Sequence, residues 1–255
     1  MKKIILCEGK TDAILISYFL EKFNWQHLKS KKEIPIKITY DEKNELLNWY
    51  KNSDKADQEL AIWGVGGYDN IQPKLKNVVE IIQSQRNPKD RFNKIVFFVD
   101  NDTGDSKKHI FDIEKWIEKS KIYLLNSIQL QEWSSAEVEL LGNQQKYPIE
   151  LLSIILPSEG KGNLEVFLLD ALKENSENDR FLVEEAEKFI NKFINNIPDQ
   201  PYLFKNRLRQ KAWLGSVLSV MSPDWVFTSL DERLKKVNWE KLELVFTAYQ
   251  KLRDL

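Results

Sequence analysis

The sequence predicts an α/β fold, a mostly parallel sheet flanked by helices, followed by a C-terminal all-helical extension. Three observations predict it. Short β-branched apolar runs alternate with helix-period segments up to Pro157, the pattern of strands joined by crossover helices. The runs are apolar at successive positions, as expected of strands covered on both faces. Beyond Pro157 the helical period persists and no strand signal follows.

The expected strands are Lys3–Cys7, Ile34–Tyr40, Leu60–Val65, Lys94–Val99 and Glu150–Leu156, short runs rich in Ile, Val, Leu or Phe. Between them, Thr11–Phe23 carries Ile14, Leu15, Tyr18, Phe19 and Phe23 at helical spacing. Asn70–Gln85 sets Ile71, Leu75, Val78, Val79 and Ile82 on one face, and His109–Lys119 repeats the pattern with Ile110, Ile113 and Ile117. The extension reads as helices over Leu164–Leu172, Phe181–Ile197, Tyr202–Met221 and Trp239–Leu255, punctuated by Pro201 and Pro223. The expected domains are residues 1–157 and 158–255.

Composition excludes several classes. The chain has 255 residues, with 38 Lys+Arg against 39 Asp+Glu and a formal net charge of -1. That balance excludes a uniformly basic nucleic-acid coat and leaves room for a local basic patch. With 42% hydrophobic residues, 8 Trp and 13 Phe, a large core can form, which excludes disorder as the main state. One cysteine, Cys7, excludes an internal disulfide framework and Cys-rich zinc modules, and His27 and His109 are too few for an imidazole zinc site. Met1-Lys2-Lys3 is followed by only four apolar residues, too few for a secretory signal. No window reaches the ~20 apolar residues of a membrane span. A cytoplasmic protein without membrane contact is expected.

Chemistry concentrates at the ends of two expected strands. The first ends in Cys7-Glu8-Gly9-Lys10-Thr11-Asp12. An acid at the C-terminal end of a strand stands at the lip of a parallel sheet, where open sheets bind ligands. Gly9 permits the turn that lets Glu8 and Asp12 face one cleft. The plain structural account is a helix start, with Thr11 as N-cap and Asp12 facing the dipole. The fourth expected strand ends in Val99-Asp100-Asn101-Asp102. Residues two apart on an extended chain share a side, so both aspartates project together. Clustered carboxylates repel unless a cation neutralises them. Oxygen donors without sulfur or imidazole select Mg2+, Mn2+ or Ca2+ over zinc. A turn built on Asp and Asn is the plain account here.

Glu8-Gly9-x-x-Asp12 after one strand and Asp100-x-Asp102 after a later one resembles the TOPRIM domain. That catalytic fold is shared by topoisomerases, bacterial primases, small nucleases and the nucleases named for overcoming lysogenization defect. The resemblance covers roughly residues 1–157. The whole-chain pattern is most similar to small stand-alone TOPRIM-like proteins of uncharacterised function, which also carry a Gly-Gly turn, here Gly66-Gly67, after an intermediate strand. They continue past the core with a segment like Gly162-Asn163-Leu164-Glu165. In the related nucleases a Glu just beyond the core can help hold metal, which makes Glu165 a candidate ligand.

The resemblance implies Mg2+- or Mn2+-dependent phosphodiester chemistry on DNA or RNA. Glu8 would serve as general acid/base or ligand, Asp100 and Asp102 would hold the ion, and Asp12 a second one. Lys10 would contact phosphate, although a solvated lysine at a turn is the plain account. A divalent ion orients phosphate, activates water and stabilises the leaving oxygen. A role in phage defence or as a toxin is a corollary. The topoisomerase branch needs further domains and a tyrosine nucleophile for which there is no room. The primase branch needs a zinc ribbon that one cysteine cannot supply.

Other features have weaker claims. The Gly66-Gly67 turn permits close approach of backbone to phosphate. Lys205, Arg207, Arg209 and Lys211, following Tyr202 and Phe204, form the densest basic stretch and are the nucleic-acid-binding candidates. Spaced at two, these charges spread around a helix, as a solvated face also would. His109 is expected on a helix surface, the tryptophans in packing, and Cys7 inert in a buried strand. An alternative function is a non-catalytic TOPRIM-fold module that binds nucleic acid or protein, with the helical extension as docking or dimer surface. An aspartate-nucleophile phosphatase is disfavoured, since its motif needs Thr two residues past the second Asp, where Gly104 stands.

Overall fold

The computed structural model describes every residue except 31, 56, 143–144, 159, 198–200 and 226–227, and gives residues 230 and 231 as backbone alone. The chain divides into two compact units, Met1–Lys161 with Lys251–Leu255, and Gly162–Gln250. Among the described residues no helix is long and apolar enough to cross a membrane.

The first unit is α/β. In chain order it comprises β1 (Lys2–Cys7), α1 (Lys10–Lys22), β2 (Trp25–His27), β3 (Leu46–Asn52), β4 (Glu59–Gly64) and α2 (Ile71–Ser84). There follow β5 (Phe92–Asp100), α3 (Ser106–Lys119), β6 (Ile122–Leu124), β7 (Trp133–Glu139) and β8 (Lys146–Leu156). These strands form one sheet in the order β2-β3-β4-β1-β5-β8-β7-β6. The middle four, β4, β1, β5 and β8, run parallel, and the outer pairs are antiparallel.

Burial explains why the middle strands read so clearly in the sequence. Every residue of β1 is buried. Ile4 and Leu6 share a cluster with Leu75 of α2 and Ile113 of α3, while Ile5 and Cys7 point to the other face by the two-residue period. There α1 packs against β4. The helix after β1 thus covers one face, and those after β4 and β5 the other. Open parallel sheets bind ligands at the C-terminal ends of neighbouring strands whose helices part in this way, and Glu8 and Asp100 stand at that end of β1 and β5.

Ile34–Tyr40 does not form the expected strand. Ile36 and Ile38 are buried and Lys37 and Thr39 exposed, so the alternation is that of extended chain, but the segment joins no ladder. Pro35 removes one N–H from any ladder this segment could make.

The second unit holds α4 (Leu164–Asn175), α5 (Glu177–Asn196), α6 (Asn206–Met221), α7 (Leu230–Leu234) and α8 (Glu243–Tyr249). Asn163 and Ser176 cap α4 and α5 by accepting the N–H of Val166 and Asp179, each at 3.1 Å. The last expected helix, Trp239–Leu255, is broken: 3-10 turns at Trp239–Lys241 and Gln250–Asp254 flank α8. The final residues return to the first unit, where Lys94 Nζ donates to Asp254 O at 2.9 Å and Leu252 and Leu255 are buried.

One glycine has no substitute in this arrangement. A Cβ on Gly64, at the end of β4, would lie 2.6 Å from the carbonyl oxygen of Gly9. The turn after β1 therefore rests directly on β4. Gly64→Ala is expected to lower stability by about 1–3 kcal/mol, the cost of an overpacked site, read as a reduced urea midpoint with unchanged slope. An unchanged midpoint would show that the two backbones do not touch.

Candidate functional site

Two strand ends and the turns that follow them build the site. After β1, Gly9 is the N-cap of α1, not Thr11 as the sequence suggested. Gly9 donates its N–H to Asp12 Oδ2 at 2.8 Å. Asp12 is buried, so its carboxylate both closes the turn and faces the positive end of the helix.

After β5 the chain alternates sides. Asn101 is buried, donates its backbone N–H to Leu156 O at 2.7 Å, and donates through Nδ2 to Pro157 O and Gly160 O at 3.1 and 2.8 Å. Asn101 ties the end of β5 to the loop after β8. Its neighbours Asp100, half-buried, and Asp102, exposed, flank it. Asp100 donates its N–H to Glu8 Oε1 at 2.9 Å, which joins the two acidic strand ends.

Electrostatics mark the junction. The Glu8 carboxyl is pushed up to about 8, by burial first. The Asp100 N–H pulls the other way, and the charges of Asp12, Asp102 and Asp69 add to the rise. Burial, with Asp12, Glu8 and Asp100, also pushes the Cys7 thiol up, away from the thiolate. The donor chemistry is oxygen only, which suits a hard divalent cation. Among the described residues, however, no three His, Cys, Asp or Glu side chains converge as a ready-made metal centre.

The other predicted residues are held in different ways. Lys10 Nζ donates to the carbonyls of Glu42 and Lys43 at 3.2 and 2.9 Å, and so pins the loop before β3. Glu45 fixes the same loop by accepting from Trp63 Nε1 and pairing with Lys74, each at 2.7 Å. Gly66 and Gly67 both have positive φ, +82° and +132°, which explains the glycines. Gly67 donates its N–H to Glu8 O at 2.7 Å, so this turn braces the acid instead of presenting that amide to a ligand. Glu165, buried in the first turn of α4, pairs with Lys211 of α6 at 2.5 Å. Arg209 Nε donates to Leu203 O at 2.9 Å. Lys205 and Arg207 are exposed at the start of α6.

Sequence reasoning missed five residues here. His109 is not on a helix surface: it is buried, 3.2 Å from Thr103 Oγ1 and 3.0 Å from Tyr68 Oη. Tyr68 donates to Asp112 Oδ2 at 3.1 Å. Asp69, beside Tyr68, adds its charge to the Glu8 environment. The available signal was the position of His109 one turn before Ile113, on the apolar stripe of α3.

The Glu8 shift has a signed consequence. A carboxyl raised in the folded state binds its proton more tightly than in the unfolded chain. That stability is fully present below the unfolded value of 4.5 and is lost as pH rises to about 8. Glu8→Gln keeps an acceptor for the Asp100 N–H and removes the titration. In metal-free buffer the variant is expected to gain melting temperature over wild type progressively between those pH values. Parallel curves for the two proteins would contradict the shift.

No curated protein and no solved structure matches this chain. One family model does, over residues 2–225, which spans nearly all of the first unit and most of the second. The chain belongs to the family described as Protein of unknown function (DUF3226).

Proposed function

We propose that the chain is a metal-dependent phosphodiesterase acting on DNA or RNA through a TOPRIM-type acidic site. The observation that carries this reading is the contact between Glu8 Oε1 and the Asp100 N–H, at the C-terminal ends of adjacent parallel strands. It brings together the Glu and the Asp-x-Asp whose spacing resembles that domain. Glu8, Asp100 and Asp102 would hold Mg2+ or Mn2+. Asp12 is engaged with Gly9 and Glu165 with Lys211, so neither is needed for a first ion.

A bound divalent ion supplies charge neutralisation for the phosphate and lowers the pKa of a coordinated water. The chain's own groups supply the rest. Glu8 keeps Oε1 on the Asp100 N–H, which fixes the carboxylate while its other oxygen would face the ion. Gly67 and Gly9 hold the acids from the backbone side. Lys205 and Arg207 offer charges for nucleic-acid backbone.

A second reading, a non-catalytic binding module, is favoured by one observation: the carboxylates do not converge as described. A panel of single- and double-stranded DNA and RNA, incubated with Mn2+, Mg2+ or chelator, separates the two. Metal-dependent cleavage is expected, falling at least about a hundredfold in Asp100→Ala, since even partners beyond the ligands are worth 10–100-fold. Full activity in that variant would overturn the nuclease reading, and no cleavage of any substrate would favour the module.

A further inference from the structure

Beside the acidic strand ends runs a chain of hydrogen bonds that the proposed chemistry leaves unexplained. Tyr68 Oη donates to Asp112 Oδ2 at 3.1 Å, so its oxygen is left to accept, and His109 Nδ1 lies 3.0 Å away. Nδ1 is therefore the protonated nitrogen. Nε2, 3.2 Å from Thr103 Oγ1, then accepts the threonine hydroxyl. Thr103 Oγ1 in turn accepts the Asp105 N–H at 3.3 Å. Every donor meets an acceptor, and neutral His109 is the form that satisfies the chain.

One end of this chain lies on the turn that carries Asp102, and the other on the turn after β4 that braces Glu8. Tyr68 directly follows Gly67, whose N–H holds the Glu8 carbonyl at 2.7 Å. Thr103 directly follows Asp102. Between them stands His109, on α3. Packing alone does not call for an imidazole there: the other buried residues of α3 are Ile113, Trp116 and Ile117, and positions 109, 113 and 116 share one stripe. A polar group buried where an apolar one would serve carries a desolvation cost that only its partners offset.

We infer that His109 is a positioning residue: bonded to Thr103 and Tyr68, it closes a bracket that fixes Asp102 relative to Glu8. The inference rests on the cation-site reading above and deepens it. His109 itself touches neither acid. It acts on the turn that carries Asp102, and Tyr68 transmits the same constraint to the turn that braces Glu8.

The test is Mn2+ affinity of the full chain, measured by isothermal titration without nucleic acid. Thr103→Val keeps the side-chain shape and removes the hydroxyl, Thr103→Ser keeps the hydroxyl, and Tyr68→Phe removes the opposite link. Thr103 is exposed, so its variants are read on folded protein, with melting curves as the control. Groups that orient metal ligands change affinity by roughly 10–100-fold. Thr103→Val and Tyr68→Phe are therefore expected to weaken binding about tenfold, with Thr103→Ser close to wild type. Imidazole 15N shifts of wild type are expected to report the Nδ1–H tautomer. Unmoved affinity in both weakened variants, or an Nε2–H tautomer, overturns the bracket alone. A wild-type chain that binds no Mn2+ overturns the cation-site reading and the bracket with it.

Discussion

Strand β1 lies between β4 and β5 with all three parallel, and its register pairs Cys7 with Phe98 on one side and Gly64 on the other. Immediately past that ladder, Glu8 takes the N–H of Asp100 and Gly9 settles against Gly64. A slip of one residue would turn Glu8 to the opposite face and separate it from Asp100. Opposing the slip are the burial of all six β1 residues, which would otherwise take in Glu8, and the pairing of Lys2 with Glu59 and Asp90 at the start of the strand. The acidic site is thus a product of core packing below it.

The turns above the sheet gather negative charge with backbone amides. Gly9 holds Asp12, Gly67 holds the carbonyl of Glu8, and Asn101 anchors the chain between two aspartates. Each of these bonds fixes backbone or one carboxylate oxygen and neutralises little. Burial first, and after it the charges of Asp12, Asp102 and Asp69, push the Glu8 carboxyl up to about 8. Such a cluster of acids, at the C-terminal ends of two adjacent parallel strands, is the arrangement a hard cation would relieve.

Much of this was legible because the central strands are buried on both faces. Lys3–Cys7, Leu60–Val65, Lys94–Val99 and Glu150–Leu156 each fall on one of the four parallel strands, and the long amphipathic helices follow their apolar periods. The outer strands β2 and β6 span only three residues, β3 carries mixed polarity, and the alternation of β7 rests on small residues, Ser134 and Ala136, that give it little apolar signal. Ile34–Tyr40 has a strand's alternation without a strand's neighbour. Glu8, Asp100 and Asp102 were legible from strand-end position. The contact of His109 with Thr103 was not, because His109 read as a surface position, and that with Tyr68 was hidden because it joins residues far apart in the chain. The pairing of Glu165 with Lys211 was hidden for the same reason, as each looked like a separate functional charge.

The central claim is that the junction of β1 and β5 is a cation site. Anomalous diffraction from crystals equilibrated with Mn2+ tests it most directly. A peak within coordination distance of Glu8, Asp100 and Asp102, absent in crystals of Asp100→Ala, is the predicted result. A map with no peak at these carboxylates, at a Mn2+ concentration that saturates exposed carboxylate sites elsewhere on the chain, would contradict it.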